Sequence, residues 1–301
     1  MDKNAYLEVN ASQKPAIDFL VSMGYTYISP EDCEKQRGSR YHVLLKDVLR
    51  GQLRRLNRYA YAGVENEFSS ANIERAMDDL DEPLTDGLVR TSEKIYDALL
   101  LGKSYLETVG EGKMLSFNLK YIDWENPQNN VFHVTEEFAV DSQDKEHNAR
   151  PDIVLFINGI PFAVIECKAP QVSVEQAVEQ TIRNQKTEYI PQLFKFAQIV
   201  MATNKNTVKY ATAGTPKKFW NIWKEQNEAW LQTGLEAHVS DRVPTEQDKN
   251  IISLFTKERV FELIRYFILF DANVKKICRY QQYFAIKEIM KTIAECDEKG
   301  N

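Results

Sequence analysis

The chain has 301 residues, 43% of them hydrophobic, enough for one large or two ordinary domains with a true core. Its formal charge of −6 excludes a protein that coats nucleic acid by bulk electrostatics, so any contact with DNA must be local. The opening MDKNAYLEVN has neither a basic nor an apolar stretch, and the greasiest run, VFELIRYFILF, is broken by Glu262 and Arg265; four scattered cysteines form no CxxC pair. Neither a secretory leader nor a membrane span is expected, no disulfide or zinc framework is suggested, and a cytoplasmic protein is predicted.

Residues 1–115 read as a helical lead. PAIDFLVSMGY comes first, then VLLKDVLRGQLRRLNRY with Leu45, Val48, Leu49, Leu53 and Leu56 at helical spacing, then IERAMDDL. Arg50, Arg54 and Arg58 recur along the other side of the middle helix and read as a solvated face rather than a phosphate-tracking stripe. The tempting GKS at Gly102 is no phosphate loop, because the glycine required five residues earlier is Asp97, and GEGKM at Gly110 fails as well.

From about residue 116 to 225 the texture is that of strands. MLSFNLKYIDW, NVFHVTEEFAV, PDIVLFI and IPFAVIEC are rich in β-branched and aromatic residues, with Asn126-Pro127 and Asn158-Gly159 as turn signals. SVEQAVEQTIRNQKTEYI predicts a helix capped by Ser173, with Gln176 in a capping box, and stopped by Pro191. AQIVMATN and TVKYATA predict two more strands. KKFWNIWKEQNEAW then begins a helical part that occupies 226–301.

The stretch RPDIVLFINGIPFAVIECKAP places Asp152, Glu166 and Lys168 among core-type residues. Period-two geometry puts Phe162, Val164, Glu166 and Lys168 on one face of their strand, and Asp152, Val154 and Phe156 on one face of theirs. A regular two-residue Asn158-Gly159 turn would pair Ile157 with Ile160 and separate the two acids. A three-residue Ile157-Asn158-Gly159 loop, pairing Phe156 with Ile160 and Asp152 with Val164, would bring them to a shared face, so a three-residue or bulged connection with Gly159 at positive φ is expected. Adjacent carboxylates in an apolar setting need a cation or a proton. Mg²⁺ suits them, since it takes one or two carboxylates plus water and phosphate oxygens. Lys168 would orient the attacking water or offset charge on the phosphate, so the constellation predicts metal-dependent phosphodiester hydrolysis.

With these residues in view, the chain resembles a known family. PD, a hydrophobic run, NGIPFAVIECK, a helix bearing Gln180 and a following strand resemble the PD-(D/E)xK nuclease core. The wording is similar to the restriction (R) subunit of type I restriction-modification enzymes, and the similarity extends to KYIDWENPQNNVFHVTEEFAV, QLFKFAQIVMATN, TPKKFWNIWK and RYQQYFAIKEI. The resemblance implies Asp152 and Glu166 as metal-binding catalytic acids, Lys168 as the catalytic lysine, and Gln180 as the glutamine of a QxxxY element whose tyrosine position holds Asn184. It also implies an acid from an upstream helix, for which Glu65, Glu67, Glu74 and Asp78 are open candidates.

The implied fold is an α/β, restriction-endonuclease-like mixed sheet flanked by helices, with the nuclease core at 116–225. The implied activity is Mg²⁺-dependent, non-sequence-specific cleavage of duplex DNA after translocation, with modification and specificity subunits as partners. Residues 226–301 would then connect to a helicase-like motor, with Gln281 or Gln282 as candidate adenine contacts; the chain reads as an N-terminal fragment, and ATP would serve only the full-length protein. Two further readings stand beside this one: a related Mg²⁺ nuclease from a repair pathway, and a nuclease-like fold that binds DNA or docks partner subunits without catalysis.

Overall fold

The structure is a computed structural model that describes residues 7–239 and 242–298. Its centre is a six-stranded mixed sheet whose spatial order follows chain order. The strands are β1 (Thr26–Tyr27), β2 (Phe132–Glu136), β3 (Ile153–Ile157), β4 (Ile160–Cys167), β5 (Ile199–Thr203) and β6 (Val208–Ala211). The pairs β1–β2 and β4–β5 are parallel and the rest antiparallel. Every residue of β3 and β4 is buried, which explains why their sequences run as unbroken apolar stretches instead of alternating.

Helices supply the cover on both faces. Val174–Asn184, which forms the crossover between β4 and β5, reaches Glu166 through Gln180, and Ser12 and Gln247 meet Cys167 and Thr203 on the opposite face. Ser173 caps the crossover helix by accepting from the Glu175 amide at 3.3 Å, without the expected capping box. The helix ends at Asn184, well before Pro191, which opens a separate short helix, Pro191–Phe194.

The two ends of the chain are less purely helical than expected. The leucine-rich helix stops at Leu56, and the arginine-tyrosine run beyond it forms a hairpin, Arg58–Tyr61 with Val64–Glu67. A second hairpin, Lys103–Val109 with Lys113–Leu119, uses Gly102 and the GEG turn for backbone geometry, so neither glycine motif is a phosphate loop. KKFWNIWKEQNEAW is also not one helix. Lys217–Phe219 makes a single 3-10 turn, Asn221 bridges to Tyr210 at the sheet edge, and the helix begins at Glu228. A third hairpin, Ile268–Asp271 with Val274–Ile277, interrupts the C-terminal helices. It is anchored by Lys275, whose buried ammonium donates to Ser92 Oγ and to the Ala197 carbonyl, both at 3.0 Å. Among the described residues, no helix is long and apolar enough to cross a membrane.

The arginine stripe is committed to ion pairs and hydrogen bonds. Arg50 binds Glu74 and Asp47, Arg54 donates to Ser70, and Arg58 pairs with Glu67. These are ordinary surface partners of small individual worth.

The β3–β4 connection sets how the two strands face each other. Asn158 (φ 53°) and Gly159 (φ 83°) form a two-residue turn of the primed kind, with Ile157 opposite Ile160, so the three-residue loop is not formed, while Gly159 has the expected positive φ and the offset comes from a bulge within the strand. Asn158 is fully buried: its side-chain amide donates to Tyr121 O and Asn130 Oδ1, and its Oδ1 accepts from the Val131 amide. Gly159 lies under the leucine-rich helix, its carbonyl accepting from the Leu45 amide at 2.9 Å. A Cβ there would sit 2.6 Å from Leu45 O and 2.9 Å from Leu49 N, in a left-handed conformation. Backbone strain and overpacking then add, so Gly159→Ala should cost about 3 kcal/mol or more in denaturant melts. A loss below ~0.5 kcal/mol, the scale of an ordinary surface change, would contradict this packing.

Candidate active site

One residue into β4 the register shifts. Pro161 faces Phe156, but Ala163 faces Leu155, so Phe162 is an extra, bulged residue. The position is chemically apt, since Pro161 has no N–H to give the ladder. Phe162 turns its carbonyl to the Gln198 amide at 2.7 Å on the β5 side. Past the bulge Val164 faces Val154 and Ile165 faces Ile153, and the same register continued sets Glu166 opposite Asp152. The parity requirement is therefore met by a bulge in the strand instead of an extra loop residue.

At that strand end Asp152 is 6% and Glu166 1% exposed. Asp152 Oδ2 accepts from the Cys167 amide at 2.7 Å, which fixes the carboxylate against the neighbouring strand. Gln180 donates to Glu166 Oε1, whereas Glu166 Oε2 is buried and has no hydrogen-bond partner. The Lys168 ammonium, whose side chain is 13% exposed, donates to the Cys167 carbonyl at 2.8 Å and lies 3.5 Å from Glu8 Oε2. Asp152, Glu166, Lys168 and Gln180 thus converge on one spot. Asn184 does not touch the carboxylates: its Oδ1 accepts from the Arg183 guanidinium at 3.2 and 3.4 Å, and Arg183 contributes positive potential at Glu166.

The acid that the structure brings to this spot is Glu8, and none of the four open candidates is among the groups that meet there. Glu67 pairs with Arg58 and Glu74 with Arg50; Glu65 stands opposite Ala60 in the first hairpin, and Asp78 belongs to the helix Ser70–Leu80. Glu8 precedes a short π-helical segment, Val9–Gln13, that runs into the helix Lys14–Ser22. From the same segment the buried Gln13 amide donates to Glu137 Oε1 at 3.0 Å and to the Asp152 carbonyl at 3.3 Å. Nothing in MDKNAYLEVNASQ is periodic enough to mark Glu8, and only the five-residue spacing from Glu8 to Gln13 at a helix start could have drawn attention to it.

Burial dominates the electrostatics. It pushes the Asp152 pKa up to about 7, against the opposing pull of the Cys167 amide and Lys168. It raises the Glu166 pKa well above the usual carboxylate range, with the charge of Asp152 adding to the effect. An acid with a raised folded pKa stabilises the fold fully only below its unfolded value. For Asp152 that contribution is lost as the pH climbs from 3.8 to about 7, because the unfolded chain releases its proton first. The metal-free chain should therefore melt at a lower temperature at about pH 8 than at about pH 5, and Asp152→Asn should recover roughly 2–4 °C at the higher pH. Melting curves in which Asp152→Asn changes nothing at either pH would contradict the assignment of that loss to Asp152.

The donor set suits a hard divalent cation: Asp152 and Glu166 are buried at opposite register positions, one Glu166 oxygen is orphaned, and Glu8 lies 3.5 Å from the neighbouring Lys168. Another group of ligand-type side chains, Asp144, Glu146 and His147, already lies within 4.8 Å of one another, but all three are exposed. There the Asp144 carboxylate accepts from Ser142 Oγ and the Glu146 amide, so it is occupied in shaping a turn. Of these two groups the strand end is the stronger candidate for a cation, because its carboxylates are buried and an ion there would relieve their charge.

The family pattern described as type I restriction enzyme R protein N terminus matches residues 5–219, which contain the whole site. The chain belongs to this family. A Methanocaldococcus jannaschii protein with the provisional name type I restriction enzyme MjaIXP endonuclease subunit is 28% identical over 92% of this chain and 27% of its own length. The type I restriction enzyme HindI endonuclease subunit of Haemophilus influenzae is 24% identical over 98% of this chain and 28% of its own length. The chain thus spans about a quarter of these curated relatives. The EcoprrI endonuclease subunit of Escherichia coli matches at 26% identity over 68% of this chain and 58% of its own length.

Proposed function

We propose that this chain is the nuclease part of a type I restriction enzyme R subunit, with a PD-(D/E)xK-type site that hydrolyses phosphodiesters of duplex DNA. The observation that carries the reading is the bulge-enforced meeting of Asp152 and Glu166, with Lys168 one strand step further along. When bound between these acids, Mg²⁺ supplies Lewis acidity toward the phosphodiester and a more acidic water.

The residues of the chain supply the rest. The Cys167 amide holds Asp152 so that its second oxygen stays directed at the site, and Gln180 holds Glu166 so that Oε2 does. Glu8 steadies the Lys168 ammonium at 3.5 Å, leaving it able to donate to a phosphate oxygen as charge builds there. Burial keeps bulk water from competing for the carboxylates.

The family resemblance supplies the remaining elements: the modification and specificity subunits as partners, and an ATP-using motor in the full-length protein that delivers DNA. No GxxxxGK[ST] occurs in these 301 residues, so the chain by itself should hydrolyse no ATP. The test is cleavage of circular duplex DNA by the complete restriction complex with Mg²⁺ and ATP, using wild-type and Glu166→Gln subunits. Loss of cutting in the variant, with ATP hydrolysis retained, is the expected result. Cutting at the wild-type rate would refute the proposal.

A further inference from the structure

Gln247 lies beyond the family-matched residues, in the first turn of the helix Glu246–Phe255, yet it is 1% exposed and touches both sides of the site's framework. Its Oε1 accepts from Ser12 Oγ at 2.6 Å and from Thr203 Oγ1 at 3.1 Å, and its Nε2 donates to the Ser12 carbonyl at 2.9 Å. Its own backbone amide donates to the Lys205 carbonyl at 3.1 Å. The turn that presents it is rigid: Thr245 and Asp248 form a capping box, and Arg242 clamps Asp248 with two hydrogen bonds at 2.5 and 2.8 Å.

Each contact leads to a group at the strand end. Ser12 belongs to the segment that begins beside Glu8, and Thr203 ends β5, where its carbonyl accepts from the Lys168 amide at 2.7 Å. Glu8 and Lys168 come from opposite ends of the framework, and Gln247 spans the two backbones that carry them. A side-chain amide suits this task, since it donates and accepts at once and carries no charge into the acidic edge.

We propose that Gln247 is a positioning residue: it holds the Glu8 segment against the end of β5 so that Glu8 reaches Lys168 and completes the cation-binding edge. The proposal rests on the reading of that edge as a Mg²⁺ site. It also couples the C-terminal helices to the nuclease site through a contact outside the family-matched region.

The experiment is Mg²⁺ titration of the 301-residue chain by calorimetry, with wild type, Gln247→Met, Ser12→Ala, Glu8→Gln and the paired substitutions. Gln247→Met keeps the side chain's length and loses its hydrogen bonds; it should weaken Mg²⁺ binding about tenfold. In a Glu8→Gln background the same substitution should cost nothing further, because it acts through Glu8. Ser12→Ala, which removes one hydroxyl and is gentle on the fold, should show the same dependence on Glu8 with a smaller loss. Unchanged affinity in Gln247→Met, or equal losses with and without the Glu8 carboxylate, would overturn the positioning role. Asp152→Ala separates the two ideas: wild-type affinity in that variant would sink the Mg²⁺ reading itself, and with it the proposal.

Discussion

Lys168→Ala in the assembled restriction complex should slow DNA cleavage by about 10²–10³-fold or more, the scale on which a single transition-state donor is worth. The ammonium is the only cationic group hydrogen-bonded at the end of β4 among the described residues, donating to the Cys167 carbonyl beside Glu8. Its hydrogen-bonding partners are one backbone carbonyl and one partly exposed acid, and the buried acids it faces, Asp152 and Glu166, can take up a proton or the cation in its place. Folding, DNA retention and Mg²⁺ affinity should accordingly change little. The decisive quantity is the single-turnover rate of strand cutting, which separates chemistry from binding and translocation. A rate within severalfold of wild type would remove Lys168 from the reaction.

Asp152→Ala should have the larger effect, abolishing both Mg²⁺ binding and cutting. Asp152 contributes one side of the carboxylate pair, and its loss leaves Glu166 alone, buried and free to stay protonated. The substitution also strips the Cys167 amide of its acceptor, which by itself costs about 1–3 kcal/mol of stability. Asp152→Asn distinguishes the two consequences. It retains an acceptor for Cys167 and removes the charge, so it should be as stable as wild type or more so at neutral pH while binding no metal. Detectable Mg²⁺-dependent cutting by Asp152→Asn would show that the carboxylate is not a ligand.

Much of this site was legible in the sequence because β3 and β4 are short, buried and joined by Asn158-Gly159, a pair with an intrinsic preference for the primed turn. Parity alone required some odd offset before Asp152 and Glu166 could share a face. Parity could not say where the offset falls. Its place is set by Pro161 within the strand and by the Gln198 amide across from Phe162, a partner distant in sequence.

Glu8 was illegible for a related reason. Its position comes from Ser12 and Gln13 docking onto Gln247, Glu137 and Asp152, all remote in sequence. The hairpins were missed because a strong local pattern ran across them. RRLNRYAY continues the polar and leucine spacing of the preceding helix, and its turn uses Ala62-Gly63, where the cue of an asparagine is lacking. In the C-terminal hairpin, Ala272 and Asn273 carry the turn, and Lys275 occupies a buried position that a sequence pattern would assign to solvent.

Whether the strand end holds a divalent cation is answered by anomalous diffraction from crystals of the chain soaked in Mn²⁺, a scattering substitute for Mg²⁺. The expected result is an anomalous peak in contact with the Asp152 carboxylate and with Glu166 Oε2, at about 2.0–2.2 Å, and its disappearance in Asp152→Ala. A peak confined to the exposed Asp144, Glu146 and His147 turn, with the strand end empty, would contradict it.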